Sequence, residues 1–290
     1  MKNKVLIACA TDKRFMIHTG TMICSVAQKT NSMVTIYVLH SEQEVEKIKK
    51  LELLYDNICI ELIRINKLKF NGYKISNRIN EVTYFRLLLG DILPKEINKI
   101  IYLDSDLIVC EDIKKLWDIN LHGKLLGAIP DVGRHTRYIS SDMGISLYQK
   151  MNIPSKSLYF NAGVLIVDLK KWKEQNISNE IMEYLKTNKE YVNFHDQDGL
   201  NAILWDKWYR IDYSWNVITD FFEDFDFCSK EIGINKNYEI INFPKIIHYT
   251  GRNKPWKVEC NHKYKEKYIS CEFMMLKKFE QLRESPFYDV

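Results

Sequence analysis

Short runs of β-branched and aliphatic residues alternate along this chain with stretches whose apolar positions recur at helical spacing, the pattern of an α/β fold. Residues 5–10 read as a first strand, followed by a polar loop through Thr11, Asp12, Lys13 and Arg14 and a helix over about 18–28. Residues 34–39 and 58–65 read as the second and third strands. Between them Ser41 and Glu44 have capping-box spacing ahead of Val45, Ile48, Leu51 and Leu54 on one helical face. Residues 83–93 read as a helix closed by Pro94, residues 100–103 as a buried strand, and residues 125–129 as a strand ending at Pro130 and Asp131. A further strand at 164–167 leaves through Asp168, placed to cap the helix that opens at Leu169. Residues 196–204 read as a helix and 246–249 as a short late strand. From about Lys263, Tyr268, Cys271, Met275, Phe279 and Leu282 stand at helical spacing.

Composition narrows the class. With 290 residues, 46% hydrophobic and 28% charged, the chain can bury a sizeable core and is not disordered. A net charge of +4 is too mild for a nucleic-acid protein. The seven cysteines are scattered and form no Cys-x-x-Cys pair, so neither a disulfide framework nor a zinc knuckle is expected, and reduced thiols in a cytoplasm are. Residues 6–9 faintly resemble a lipoprotein cleavage box, but the apolar run behind the basic start is shorter than the ~7–15 residues of a signal-peptide core. No run approaches the ~20 apolar residues of a membrane span. The expectation is a soluble intracellular protein.

The chemistry concentrates at Asp104-Ser105-Asp106, where a buried strand ends in two carboxylates and an apolar run resumes. Unpaired buried carboxylates cost several kcal/mol each, so this strand should deliver them to a cation at the sheet mouth. Hard oxygen ligands favour Mg²⁺ or Mn²⁺. An Asp-x-Asp triplet alone also fits a solvated turn; the flanking apolar runs favour the metal. His248 ends a second apolar strand, and an imidazole beside the carboxylates would tilt the choice towards Mn²⁺, although a lone strand histidine also fits a satisfied core. His195 precedes a helix and reads as its cap. Gly251 and Lys254 suit a phosphate-holding loop. Arg86 lies on an apolar helical stretch and needs an anionic partner, either Asp91 or Glu81 as a structural pair, or a ligand. Asn161 fits a turn. Asp196 fits a helix cap or, with Gln197, a ligand at the helix N-terminus.

Five motifs then fall in order: Tyr84-Phe85-Arg86-Leu87, Ile101-Tyr102-Leu103-Asp104-Ser105-Asp106, Tyr159-Phe160-Asn161-Ala162-Gly163-Val164, Asp196-Gln197-Asp198, and His248-Tyr249-Thr250-Gly251 with Lys254-Pro255-Trp256. Together they resemble glycosyltransferase family 8. The resemblance implies a GT-A type fold over residues 1–256, a Rossmann-like, mostly parallel sheet flanked by helices, with residues 257–290 left as a C-terminal helical tail. It implies metal-dependent, retaining transfer of galactose or glucose from a UDP-sugar to a glycan or glycosylated-protein acceptor, with Mn²⁺ or Mg²⁺. By position, Asp104, Asp106 and His248 would hold the metal. Arg86, Asp131, Asn161 and Asp196 would meet the donor sugar, and Ser105 the donor. Gly251 and Lys254 would hold the diphosphate, and Ala10, Thr11 and Asp12 the uridine. Gln197, with Asp196, would lie at the reacting anomeric carbon. The family often has two acidic residues and then Asn-Tyr after the first strand. Here Ala10-Thr11-Asp12-Lys13-Arg14-Phe15 is one residue longer, though Asp12 can still accept from a uracil N–H. The loop 131–143 points to the acceptor. The tail reads as a helix packed on the domain, and its aromatic and lysine content also suits contact with the inner face of a membrane. A nucleotidyltransferase or phosphohydrolase would share the clustered carboxylates; a silent sugar-nucleotide binder would not need the full triad.

Overall fold

The computed structural model describes residues 4–76 and 80–284. Its strands, in chain order, are β1 (Lys4–Ala10), β2 (Met33–His40), β3 (Ile58–Arg64), β4 (Lys99–Leu103), β5 (Leu107–Val109), β6 (Leu126–Pro130), β7 (Phe160–Asp168), β8 (Trp208–Arg210), β9 (Val217–Ile218) and β10 (Ile246–His248). Seven of them form one sheet in the order β3-β2-β1-β4-β7-β6-β8, flanked by helices. All neighbours pair in parallel except β7, which runs antiparallel to β4 and β6. The expected α/β class, with a Rossmann-like mostly parallel sheet, is therefore observed. A second sheet of β5, β10 and β9 was not foreseen.

This topology sets up the site. The chain winds from β1 outward to β3, then returns to start again at β4 on the other side of β1, so a crevice opens where the strand order reverses. The carboxyl ends of β1, β4 and β6 lie along that edge. Because β7 runs the other way, its first residues, including Asn161, come to the same edge. In the second sheet, antiparallel pairing sets His248 opposite Leu107, one residue beyond Asp106.

Several local expectations change. Ser41 and Glu44 form no capping box. The segment Gln43–Leu53 is a 3₁₀ helix entered through Glu42 without a side-chain cap bond, and Glu44 is drawn off by the Lys13 ammonium at 2.9 Å. The segment read as a helix over 83–93 is a 3₁₀ helix, Glu81–Leu88, capped by Asn80 and continuing into Leu89–Ile92. Asp168 does cap its helix, accepting from Lys171 N–H.

The helix Lys265–Gln281 buries Tyr268, Cys271, Met275 and Phe279 in the same apolar core as the helix Met16–Lys29, while Phe273, Met274 and Leu282 face outward. Tyr268 Oη lies 2.6 Å from His18 Nδ1, and the His18 ring stacks on Trp256 with centroids 3.6 Å apart. Burial pushes the His18 imidazole down to about 4, so this stack is uncharged at neutral pH. Of the tail, residues 285–290 lie outside the described ones. No helix among the described residues is long and apolar enough to cross a membrane.

Phe279 is fully buried against this core. Phe279→Ala is expected to cost about 3–5 kcal/mol of folding stability, seen as a lower denaturant midpoint at unchanged slope. A cost under about 1 kcal/mol would mean that the helix packs only loosely.

Candidate active site

A bulge in β7 organises the site. Pairing between β6 and β7 jumps from Ala128 opposite Leu165 to Ile129 opposite Asn161, so residues 162–164 drop out of that ladder. Buried peptide groups need partners, and at Ala162 and Gly163 most of the partners are side chains. Ala162 N donates to Gln197 Oε1 at 2.9 Å, and Ala162 O accepts from Arg86 Nη1 at 2.6 Å. Gly163 N donates to Asn161 Oδ1 at 3.0 Å, and Gly163 O accepts from Asp104 N at 2.9 Å.

Arg86 is held by neither Asp91 nor Glu81. Its Nη2 lies 2.8 Å from Asp104 Oδ1 and its Nε 2.9 Å from Asp196 Oδ2, while its guanidinium sits over the Tyr102 ring at 4.4 Å. Asp196 is thus no helix cap: Arg86 and the Thr83 hydroxyl, 2.6 Å from Oδ1, take its carboxylate. His195 occupies the cap position but makes no cap bond. Its φ of 53° and ψ of −125° turn the chain sharply into the helix Asp196–Leu204. Asp198 anchors the turn, accepting from Tyr159 Oη at 2.6 Å and from the N–H groups of Asn193 and Phe194.

Asp104, Asp106 and His248 converge, with one ligand atom from each lying within 4.8 Å of the others. His248 Nε2 is 3.2 Å from Asp106 Oδ1 and 3.8 Å from Asp104 Oδ2. Asp106 Oδ2 also bonds Lys254 Nζ, which donates in addition to Tyr249 O. Burial opposes ionisation of Asp106, but Lys254 and His248 outweigh it and hold the carboxyl well below the usual range. The carboxylates of Asp104, Asp106 and Asp196 face two fixed cations, Arg86 and Lys254, so negative charge is in excess. Two carboxylates and an imidazole with charge to spare are a donor set suited to a hard or borderline divalent cation.

The other anticipated residues divide. Asp131 is buried beside the site, with Oδ1 accepting from Thr136 Oγ1 and Gly133 N and Oδ2 3.5 Å from Asn161 Nδ2. Burial raises its pKa against these bonds. The Ser105 hydroxyl turns away from the cluster, donating to Ala10 O at 2.9 Å and accepting from Thr19 Oγ1, so it ties the Asp-x-Asp turn to β1. The Thr11 hydroxyl joins the same network. Asp12 caps the turn Lys13–Phe15 through Oδ1, while Oδ2 takes Asn80 Nδ2 and Arg14. Gly251 has φ of 73°, a left-handed backbone that glycine adopts without strain. Three participants were given no role by the sequence reading: Thr83, Asn216 and Tyr159, the last noted only as part of a motif. For Asn216 a signal existed, a single polar residue between Trp215 and the apolar pair Val217-Ile218.

The family model described as glycosyl transferase family 8 matches residues 6–260. General stress protein A of Bacillus subtilis (strain 168) is 30% identical over 271 residues, covering 91% of each chain. Lipopolysaccharide 1,2-glucosyltransferase of Escherichia coli (strain K12) is 24% identical over 257 residues, 86% of this chain and 72% of that one. Among solved structures, the galactosyltransferase LgtC in complex with donor and acceptor sugar analogs superposes with a TM-score of 0.80 at 24% identity, covering 93% of this chain and 96% of that one. That likeness establishes a shared GT-A fold.

Two outcomes are expected. A methyl group on Gly163 would stand 2.2 Å from His248 Cε1 and 2.9 Å from Asp104 Oδ2. Gly163→Ala should therefore spread the cluster and weaken divalent-cation binding by ~10-fold or more in calorimetric titration; unchanged binding would place the cation elsewhere. Burial lifts the Asp198 carboxyl from 3.8 to about 6, against the Tyr159 hydroxyl and the Asn193 and Phe194 N–H groups. The folded state holds this proton more tightly than the unfolded one. Its contribution therefore falls as pH rises from about 4 to about 6 and stays lower above. Asp198→Asn should remove about 3 kcal/mol of that decline, measured by denaturant unfolding at acid and neutral pH; an undiminished pH slope would refute it.

Proposed function

The chain belongs to glycosyl transferase family 8, and on that footing we propose that it transfers galactose or glucose from a UDP-sugar to a glycan or glycosylated-protein acceptor, with retention at the anomeric carbon and Mn²⁺, or Mg²⁺, as the metal. The observation that carries this reading is the convergence of Asp104, Asp106 and His248 at the sheet mouth with the Lys254 ammonium against them. A divalent cation held by those three residues would act as a Lewis acid towards the diphosphate of the leaving UDP.

The chain's own groups do the remaining work. As the bond to the sugar breaks, negative charge grows on the β-phosphate, and Lys254, close beside the cluster, can exchange its bond to Asp106 for one to that phosphate. An interaction stronger in the transition state than before it raises the rate. Arg86 holds Asp104 and Asp196 at fixed separation, so that Asp104 would meet the cation and Asp196 the sugar. Asp131 and Asn161 supply acceptors and a donor for sugar hydroxyls. Gln197 spends its carbonyl oxygen on Ala162 N–H and turns its amide towards the Tyr159 hydroxyl, with its second amide hydrogen left for the region of the anomeric carbon. Ala10, Thr11 and Asp12 line the uridine end, where Asp12 Oδ1, bonded to Phe15 N, keeps a lone pair for a uracil N–H. The Ser105 hydroxyl keeps the turn in register with β1. A catalytic cytoplasmic protein resting on the inner membrane face through the outward side chains Phe273, Met274 and Leu282 fits the same picture.

The test is UDP release from a panel of UDP-sugars, with and without Mn²⁺ and without acceptor. Slow, metal-dependent hydrolysis of one UDP-hexose is expected, and Asp106→Ala should lower it by about 100-fold or more with the thermal unfolding transition retained. Turnover that ignores the metal, or survives in Asp106→Ala, would overturn the reading.

A further inference from the structure

Asn216 lies between the 3₁₀ turn Tyr213–Trp215 and β9, and it is 1% exposed. It joins the two sheets, reaching His248 on β10 of one and Asn161 on β7 of the other. The direction of these bonds is fixed by one backbone group. A peptide N–H can only donate, so Gly163 N, 3.0 Å away, makes the near atom of the Asn161 amide an acceptor oxygen. That oxygen lies 2.9 Å from the Asn216 amide, whose near atom must then be the donor Nδ2. The opposite atom of Asn216 is therefore the oxygen, and 2.9 Å from it stands His248 Nδ1, which must carry the hydrogen. Reversing either amide would set donor against donor or acceptor against acceptor in a buried place.

We infer that Asn216 is a positioning residue that fixes a ring hydrogen of His248 on Nδ1, so that Nε2 is the nitrogen turned to the space shared with Asp104 and Asp106. Nε2 stands 3.2 Å from Asp106 Oδ1, so a proton or a cation between them relieves what would otherwise be two facing acceptors. The same chain runs from Asn161 Nδ2 to Asp131 Oδ2 at 3.5 Å, so one string of bonds ties the expected sugar end of the pocket to the cation end. The consequence for cation binding rests on the function proposed above; the placing of the hydrogen rests on the 2.9 Å bond of Nδ1 to Asn216, shorter than the 3.2 Å contact of Nε2 with Asp106.

The experiment is a long-range ¹H–¹⁵N spectrum of uniformly ¹⁵N-labelled full chain, free of metal and in alkaline solution, followed by Mn²⁺ titration read from the electron paramagnetic resonance of the free ion. The wild-type His248 ring should be protonated at Nδ1 and bare at Nε2. Asn216→Leu deletes the acceptor, so the hydrogen should move to Nε2, where Asp106 can take it, and Mn²⁺ affinity should drop about 10- to 100-fold. Asn216→Asp gives up the donor to Asn161 but keeps an acceptor for Nδ1 and should keep the wild-type tautomer, which a merely structural role would not require; it also serves if the leucine variant does not fold. A wild-type ring protonated at Nε2, or an unchanged tautomer in Asn216→Leu, would overturn the inference. An Nδ1-protonated ring in a protein that binds no Mn²⁺ would uphold it while refuting the metal reading, so the two fail separately.

Discussion

Everything at this sheet edge depends on satisfying the peptide groups of Ala162 and Gly163 once β7 has left its ladder with β6. Burying them unpartnered would cost about 1–3 kcal/mol each. The groups that satisfy them are Gln197, Arg86, Asn161 and the backbone of Asp104. Each is also a residue of the site proposed above. Scaffold and site are thus one hydrogen-bond network, and a side chain cannot be altered for chemistry here without disturbing the strand it supports.

The second organising fact is charge. Arg86 is buried between Asp104 and Asp196, where a guanidinium is tolerable only because both carboxylates and the Ala162 carbonyl meet its fork. In return the two acidic residues, one from the end of β4 and one from the start of a distant helix, are held in a fixed relation. Asp106 is stabilised differently, by Lys254 and His248 from the loop and strand of the second sheet. The cleft therefore has one wall tied down by Arg86 and another carried by a loop and a short strand.

How much of this was legible in the sequence follows from where the partners lie. Asp104 and Asp106 announced themselves because carboxylates flanked by apolar runs violate the rule that buried charge is paired, and His248 stood out for the same reason. Arg86 was legible as needing an anion but not which one, since Asp91 and Glu81 were near in sequence and Asp104 and Asp196 near in space. The capping box at Ser41 and Glu44 failed because a tertiary partner, Lys13, outbid the local bond. Strands β5 and β9, of three and two residues, are too short to show a period, so the second sheet stayed hidden although its β10 was read. Asn216 exerts its effect on residues 55 and 32 positions away, beyond the reach of any local pattern.

The aromatic stack of Trp256 on His18, with Tyr268 bonded to that imidazole, bears on the order in which the protein is made. Trp256 follows Lys254 by two residues, so the stack is the footing of the loop that presents the ammonium. Its last component, Tyr268, is synthesised after every residue of the cleft. A nascent chain that has emerged through Trp256 therefore carries all the polar groups of the pocket but lacks the tyrosine that holds His18 and the helix that covers it. The loop that carries Lys254 therefore gains its full footing only when the last helix has been made.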